Sequence, residues 1–124
     1  MEQYPSPDMA DVQLVSVLSA LADPIRLDIV RALADGQPHP KTAEVWHFDV
    51  QKSTLSHHFR VLRESGVTRT HLVGNQRVIS LRTEDLEARF PGVLGPILTA
   101  GSREEAGRDG RARSRRPAAR SDAA

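Results

Sequence analysis

A chain of 124 residues is long enough for one small domain with a modest core, and with no cysteine it has no disulfide framework to hold it. The formal charge of +1 hides a division along the chain: residues 1–50 carry three basic side chains against eight acids, and residues 51–82 carry six against one. No run of about 18 apolar residues occurs, and the opening MEQYPSPD places acids and prolines where a signal peptide would be basic and then apolar, so a cytoplasmic protein without a membrane span is expected.

Residues 8–21 predict a first helix, in which Val12, Leu14, Val15, Val17, Leu18 and Leu21 form an apolar stripe wider than one face. A helix with that much apolar surface is expected to be covered on two sides, one by its own domain and one by a partner, which points to a homodimer. Asp23 and Pro24 then suit the cap and first position of a second helix over residues 24–34, where Ile25, Ile29, Val30 and Leu33 recur at core spacing and Gly36 ends the run. Arg26 and Arg31 read as solvated or paired with Asp23, Asp28 or Asp35. A proline-bounded loop over residues 37–40 leads into a short helix expected at 40–46, with Phe48, Asp49 and Val50 as a turn. That helix would brace the next one, as the first helix of a helix-turn-helix does.

Residues 51–66, QKSTLSHHFRVLRESG, are the stretch around which the chain is organised. At about a hundred degrees per residue, Leu55, Phe59 and Leu62 gather on one arc at the spacing of a buried face. The opposite face carries hydroxyls, an imidazole and guanidinium groups with a single acid, Glu64. Such groups pair with base edges and phosphate oxygens. His58 lies at the margin of the apolar arc, as well placed to hydrogen-bond within the domain as to touch DNA. Gly66 stops the helix. The alternating runs V-T-R-T-H-L and R-V-I-S-L, on either side of Gly74-Asn75-Gln76, then predict a β-hairpin. Helix, turn and basic hairpin in this order form a winged helix-turn-helix, mainly α with a small β-hairpin. The candidate DNA-binding set is Lys52, Ser53, Thr54, Ser56, His57, His58, Arg60 and Arg63 on the helix with Arg69 and Arg77 on the wing.

The segment STLSHHFRVLRESGV, with a hairpin and a short acidic stretch after it, resembles the ArsR/SmtB family of bacterial transcriptional repressors. LADPIRLDIVRALADG is similar to the opening helices of that family, and the resemblance runs over residues 11–98. It implies a sequence-specific DNA-binding regulator, a repressor that grips a palindromic operator in double-stranded DNA as a homodimer. One departure concerns Gln51, where the family usually has Ser or Thr as the cap of the recognition helix. Either Asp49 takes over the capping or the helix begins less sharply. The resemblance also implies that the helix after the wing pairs with its twofold mate beside the first helix.

After the wing, Thr83 opens another helix with Glu84 and Asp85 in its first turn. Phe90, Val93, Leu94, Ile97 and Leu98 offer an apolar face that Pro91 and Pro96 interrupt, putting its helical continuity in question. Residues 8–100 are therefore read as one DNA-binding and dimerisation domain. Residues 101–124 contain no aromatic or β-branched residue and seven arginines against four acids, and are read as a disordered Arg-rich tail.

Other functions are weighed on the same residues. His57, His58, Asp49 and Ser53 or Ser56 are hydrolase residue types, but they point in different directions from one helix. No G-x-S-x-G elbow, phosphate-cradling glycine loop or His-Glu-x-x-His pattern occurs, so no catalytic residue is assigned. A pure protein-interaction module would leave the basic helix and hairpin unexplained. A metal-responsive regulator is the other alternative. The thiolate site of some relatives has no cysteine here, and the histidine that others carry on the last helix is missing from residues 83–100. His39, Glu44 and His47 remain, donors suited to nickel, zinc or cobalt, without defining a metal site.

Overall fold

The structure, a computed structural model, describes residues 2–41, 46 and 49–112. Strand β1 (Glu2–Gln3) and a 3-10 turn (Met9–Asp11) precede helix α1 (Leu14–Leu21). The single helix expected from Asp8 is thus broken, with Val12 and Gln13 both extended. The reason is tertiary. The Val12 side chain is buried against Gly66, and its carbonyl accepts a 3.0 Å bond from Arg89 Nε, so it is engaged away from the helical ladder.

Helix α2 (Pro24–Leu33) begins as its sequence specifies: Asp23 Oδ2 accepts from the amides of Ile25 and Arg26, each at 3.0 Å, and Pro24 takes the first position. Its residues Ile29, Val30 and Leu33 are fully enclosed and form the middle of the core. Strand β2 (His39–Pro40) follows, so Pro40 pairs with a strand and does not open a brace helix. The rest of that expected helix, residues 42–45, lies outside the described residues, as does Phe48 of the turn. Trp46 is buried, its ring edge-on to Phe59 at 5.8 Å and its Nε1 donating to the Pro40 carbonyl at 2.8 Å.

Helix α3 (Lys52–Glu64) buries Leu55, Phe59 and Leu62, the arc that the spacing predicts. Gly66 then adopts φ +91°, a conformation that favours glycine, and the chain turns into β3 (Thr68–Val73) and β4 (Gln76–Leu81). A two-residue loop, Gly74-Asn75, joins them, with Val73 opposite Gln76 and Gly74 at φ +62°. The expected hairpin is the centre of a wider antiparallel sheet in the order β1-β3-β4-β2. The chain's N-terminus adds one edge, and the segment before α3 adds the other.

Helix α4 (Thr83–Arg89) ends before Pro91 and Gly92, the latter at φ +76°, and α5 (Leu94–Ala112) starts beyond them. The prolines therefore have separate effects. Pro91 sits in the break, whereas Pro96 lies in the first turn of α5, where no amide partner is required. Helix α5 runs past residue 100, so the tail expected from Gly101 is helical in its first half. Arg103, Glu104, Glu105 and Ala106 are all good helix formers. Gly101 also rests against α2, where a side-chain carbon would come within 3.2 Å of Arg31 Cδ and 3.5 Å of Leu27. Residues 113–124 lie outside the described residues.

Candidate nucleic-acid interface

Helix α3 is held by its apolar arc, which leaves Lys52, Ser53, Thr54, Ser56, His57, Arg60 and Glu64 exposed on the opposite side. Gln51 makes no side-chain cap bond, and among the described residues Asp49 does not replace it, so the helix starts uncapped. Short hydroxyl side chains occupy its first turn, and Arg60 Nη2 lies 3.4 Å from His57 Nδ1 one turn along. This face projects several donors and acceptors together, as reading the edges of stacked base pairs requires.

His58 does not belong to that face. It is 8% exposed, and its Nδ1 lies 3.1 Å from Arg26 Nη1. A guanidinium only donates, so Nδ1 accepts and the ring proton sits on Nε2. Burial lowers the His58 pKa below its ordinary value. The Asp23 carboxylate, 3.9 Å away, opposes the shift, and the charge of Arg26 adds to it. The neutral ring is a brace inside the domain, which corrects its place in the DNA-binding set. Arg26, expected to be solvated or paired with an aspartate, is instead the other half of that brace. Its Nε donates to the Ala20 carbonyl at 2.7 Å, so one side chain ties the end of α1 to the middle of α3.

In the hairpin segment, the three bases Arg69, Arg77 and Arg82 separate into two groups. Arg82 is buried, donating to the Pro7 carbonyl at 2.9 Å, and it shares Asp85 with Arg69, each approach being 3.3 Å. Arg69 is therefore held by a carboxylate, and Arg82 contributes nothing to the outer surface. Arg77 is exposed, and its guanidinium stacks over the Tyr4 ring at 5.2 Å, with Arg63 over the same ring at 5.9 Å. Tyr4 belongs to an N-terminal segment whose amide bonds the Thr70 carbonyl at 2.9 Å.

Lys41 joins Arg63 and Arg77, although nothing in its sequence context marks it. The β2 pairing carries it there, with its amide donating to the Arg77 carbonyl at 3.0 Å and its Nζ 5.0 Å from the centre of the Phe59 ring. Burial, with the charges of Arg63 and Arg77 behind it, brings its pKa down to about 8. The metal alternative gains no geometry. His39 Nε2 lies 3.0 Å from Asp35 Oδ2, and Glu44 and His47 lie outside the described residues. Among the described residues no cluster of three His, Cys, Asp or Glu could hold an ion, and no helix is long and apolar enough to cross a membrane.

Comparison with known proteins bears on this geometry directly. A helix-turn-helix domain family matches residues 21–71, which span α2, α3 and the start of the wing. An uncharacterized HTH-type transcriptional regulator of Bacillus subtilis, YceK, is 34% identical over 63% of this chain and 79% of its own length. The arsenical resistance operon repressor of Staphylococcus xylosus is 32% identical over 64% of this chain and 75% of its own. The HTH-type transcriptional regulator NmtR of Mycobacterium tuberculosis is 38% identical over 62% and 63%. A crystal structure of an ArsR family transcriptional regulator superimposes with a TM-score of 0.54 at 26% identity, covering 76% of this chain and 96% of the other.

Proposed function

The chain belongs to the ArsR/SmtB family of helix-turn-helix transcriptional regulators, and from that premise we propose that it is a repressor binding a near-palindromic operator as a homodimer. Its activity as a DNA-binding regulator rests on the solvent face of α3. Lys52, Ser53, Thr54, Ser56, His57 and Arg60 stand clear of the core on a helix whose other side is locked into it. Arg77 and Arg63 flank that face where phosphates run beside the groove. Repression is favoured by the name of the Staphylococcus xylosus relative. That name concerns arsenicals and not a divalent metal, and no ligand cluster among the described residues supports control by nickel, zinc or cobalt. A cytoplasmic location is part of the same proposal, since the target is chromosomal DNA.

The dimer is supported by α1, where Leu14, Val15 and Leu18 are 39%, 75% and 42% exposed on a helix that also supplies Val17, Ala20 and Leu21 to the core. Apolar side chains of this size on a short helix mark a surface that a second copy would cover. Sedimentation velocity at micromolar protein should give a dimer, and Val15→Glu should shift it to monomer. The same substitution should weaken binding to a two-half-site duplex far more than to a single half-site. A wild-type chain that remains monomeric with and without DNA would end the dimer proposal.

A further inference from the structure

The cleft between α3 and the hairpin gathers like charges without compensation. Lys41 from the segment after β2, Arg60 and Arg63 from α3, and Arg77 from β4 surround a cavity of about 650 Å³ whose other polar walls are Ser56, Asn75 and Gln76. No carboxylate lines it, and among the described residues none of the four cations is in an ion pair. Arg63 Nε is buried with no hydrogen-bond partner. Three of the cations rest on aromatic rings: Arg63 and Arg77 on Tyr4, and the Lys41 ammonium on Phe59 at 5.0 Å, while Arg60 stands exposed beside them. Burial, and behind it the charges of Arg63 and Arg77, brings the Lys41 pKa down to about 8, so part of that shift records their mutual repulsion.

Clustered cations that repel one another raise the free energy of the empty protein, and an oxyanion accepting several charge-assisted bonds removes that cost. Guanidinium groups suit the tetrahedral oxygens of a phosphoryl group, and the side-chain amides of Asn75 and Gln76 add neutral donors. We infer that this cleft is a seat for one phosphoryl group, formed by Lys41, Arg63 and Arg77 with the exposed Arg60 beside them. A DNA backbone phosphate or a small free phosphate would occupy it in turn. The DNA half of this inference rests on the function proposed above; the free-anion half does not. The cavity exceeds a single tetrahedral ion and falls in the range of small-molecule sites, roughly 300–1,000 Å³, which leaves room for pyrophosphate. A free phosphate in the seat would compete directly with the operator.

The test has two arms, both using the full chain. In the first, inorganic phosphate and pyrophosphate are titrated into DNA-free protein by calorimetry, with chloride holding ionic strength constant. Emission from the chain's one tryptophan, Trp46, whose ring meets the cleft residue Phe59, provides a second signal. Saturable binding of one pyrophosphate per chain is expected, weakened about tenfold or more in Arg63→Gln and in Arg77→Gln. In the second arm, one neutral methylphosphonate linkage is moved along an operator duplex. Affinity should fall at one backbone position per half-site, and that fall should disappear in Arg63→Gln. Success in the first arm alone assigns the seat to a free anion, and success in the second alone assigns it to the DNA backbone. If pyrophosphate does no more than matched chloride and no linkage position stands out, the inference is overturned while DNA binding itself remains. Pyrophosphate binding by a protein with no affinity for duplex DNA would instead overturn the proposed function.

Discussion

Replacing Arg26 with methionine removes the hydrogen bonds that tie α1 to α3 while keeping much of the side chain's apolar stem. Three are broken: a charged donor to the Ala20 carbonyl at 2.7 Å, the donor facing His58 Nδ1 at 3.1 Å, and a longer, weaker one to the Ser19 carbonyl at 3.5 Å. Hydrogen bonds to charged groups contribute about 1.5–3 kcal/mol each, and the partly exposed guanidinium puts these toward the low end, so Arg26→Met should cost about 2–3 kcal/mol. That is a large part of the roughly 5–15 kcal/mol by which such domains are stable, and should lower Tm by about 10 °C. His58 adds a pH signature. Because burial holds its folded pKa below the unfolded value near 6.5, the folded state resists protonation. Stability from this site is intact above pH 6.5 and is lost as pH falls through the lower folded value. Without Arg26, burial and the charge of His57 still oppose protonation of His58, but the Asp23 carboxylate 3.9 Å away is no longer offset by a guanidinium, so the acid sensitivity should become smaller. Urea denaturation of both proteins at pH 7.5 and 5.5 measures both effects. A cost below about 0.5 kcal/mol, or an identical acid response in the two proteins, would refute the brace.

Two further predictions concern other parts of the molecule. An oxyanion beside Lys41 should raise its pKa from about 8 back toward its ordinary value, so DNA binding takes up a proton and affinity falls as pH rises through 8. Between pH 7.5 and 9.5 the loss should be about tenfold, and Lys41→Arg should abolish it; an unchanged slope in the variant would contradict the assignment. Gly66→Ala combines strain at φ +91° with overlap of the new carbon on the Val12 side chain, for a cost of about 2–4 kcal/mol. Adding Val12→Ala should recover the overlap part of that cost, as a double-mutant cycle in urea would show, and full additivity would argue against it.

What could be read from the amino acids alone was whatever depends on local periodicity and turn chemistry. The arc of Leu55, Phe59 and Leu62, the Asp23-Pro24 cap and the Gly74-Asn75 loop all depend on neighbours a few residues away, and all appear in the structure. What could not be read depends on distant partners. Val12 keeps the apolar rhythm of a helix yet breaks it, because Arg89 and Gly66 engage it from far along the chain. His58 sat between two faces, and Arg26, 32 residues earlier, decided which. Charge counting placed Arg69 and Arg82 on the wing without seeing Asp85 beside them, and it left Lys41 in the acidic half although β2 carries it to the basic cleft. Composition likewise ended the fold near residue 100, whereas Gly101 gives α5 a close approach to α2.

In the proposed complex α3 reads bases while the wing and the helix start hold phosphates. Fluorescence anisotropy on an operator duplex and a scrambled duplex, across a salt series and with folding of each variant confirmed, separates these two roles. His57→Ala and Arg60→Ala should each cost about 1–3 kcal/mol on the operator and much less on the scrambled sequence. Lys52→Ala and Arg77→Ala should weaken both duplexes by similar factors and reduce the salt slope by about one unit for each phosphate no longer neutralised. Equal losses on the two duplexes for His57→Ala and Arg60→Ala would contradict the account and move specificity to the wing or to DNA shape.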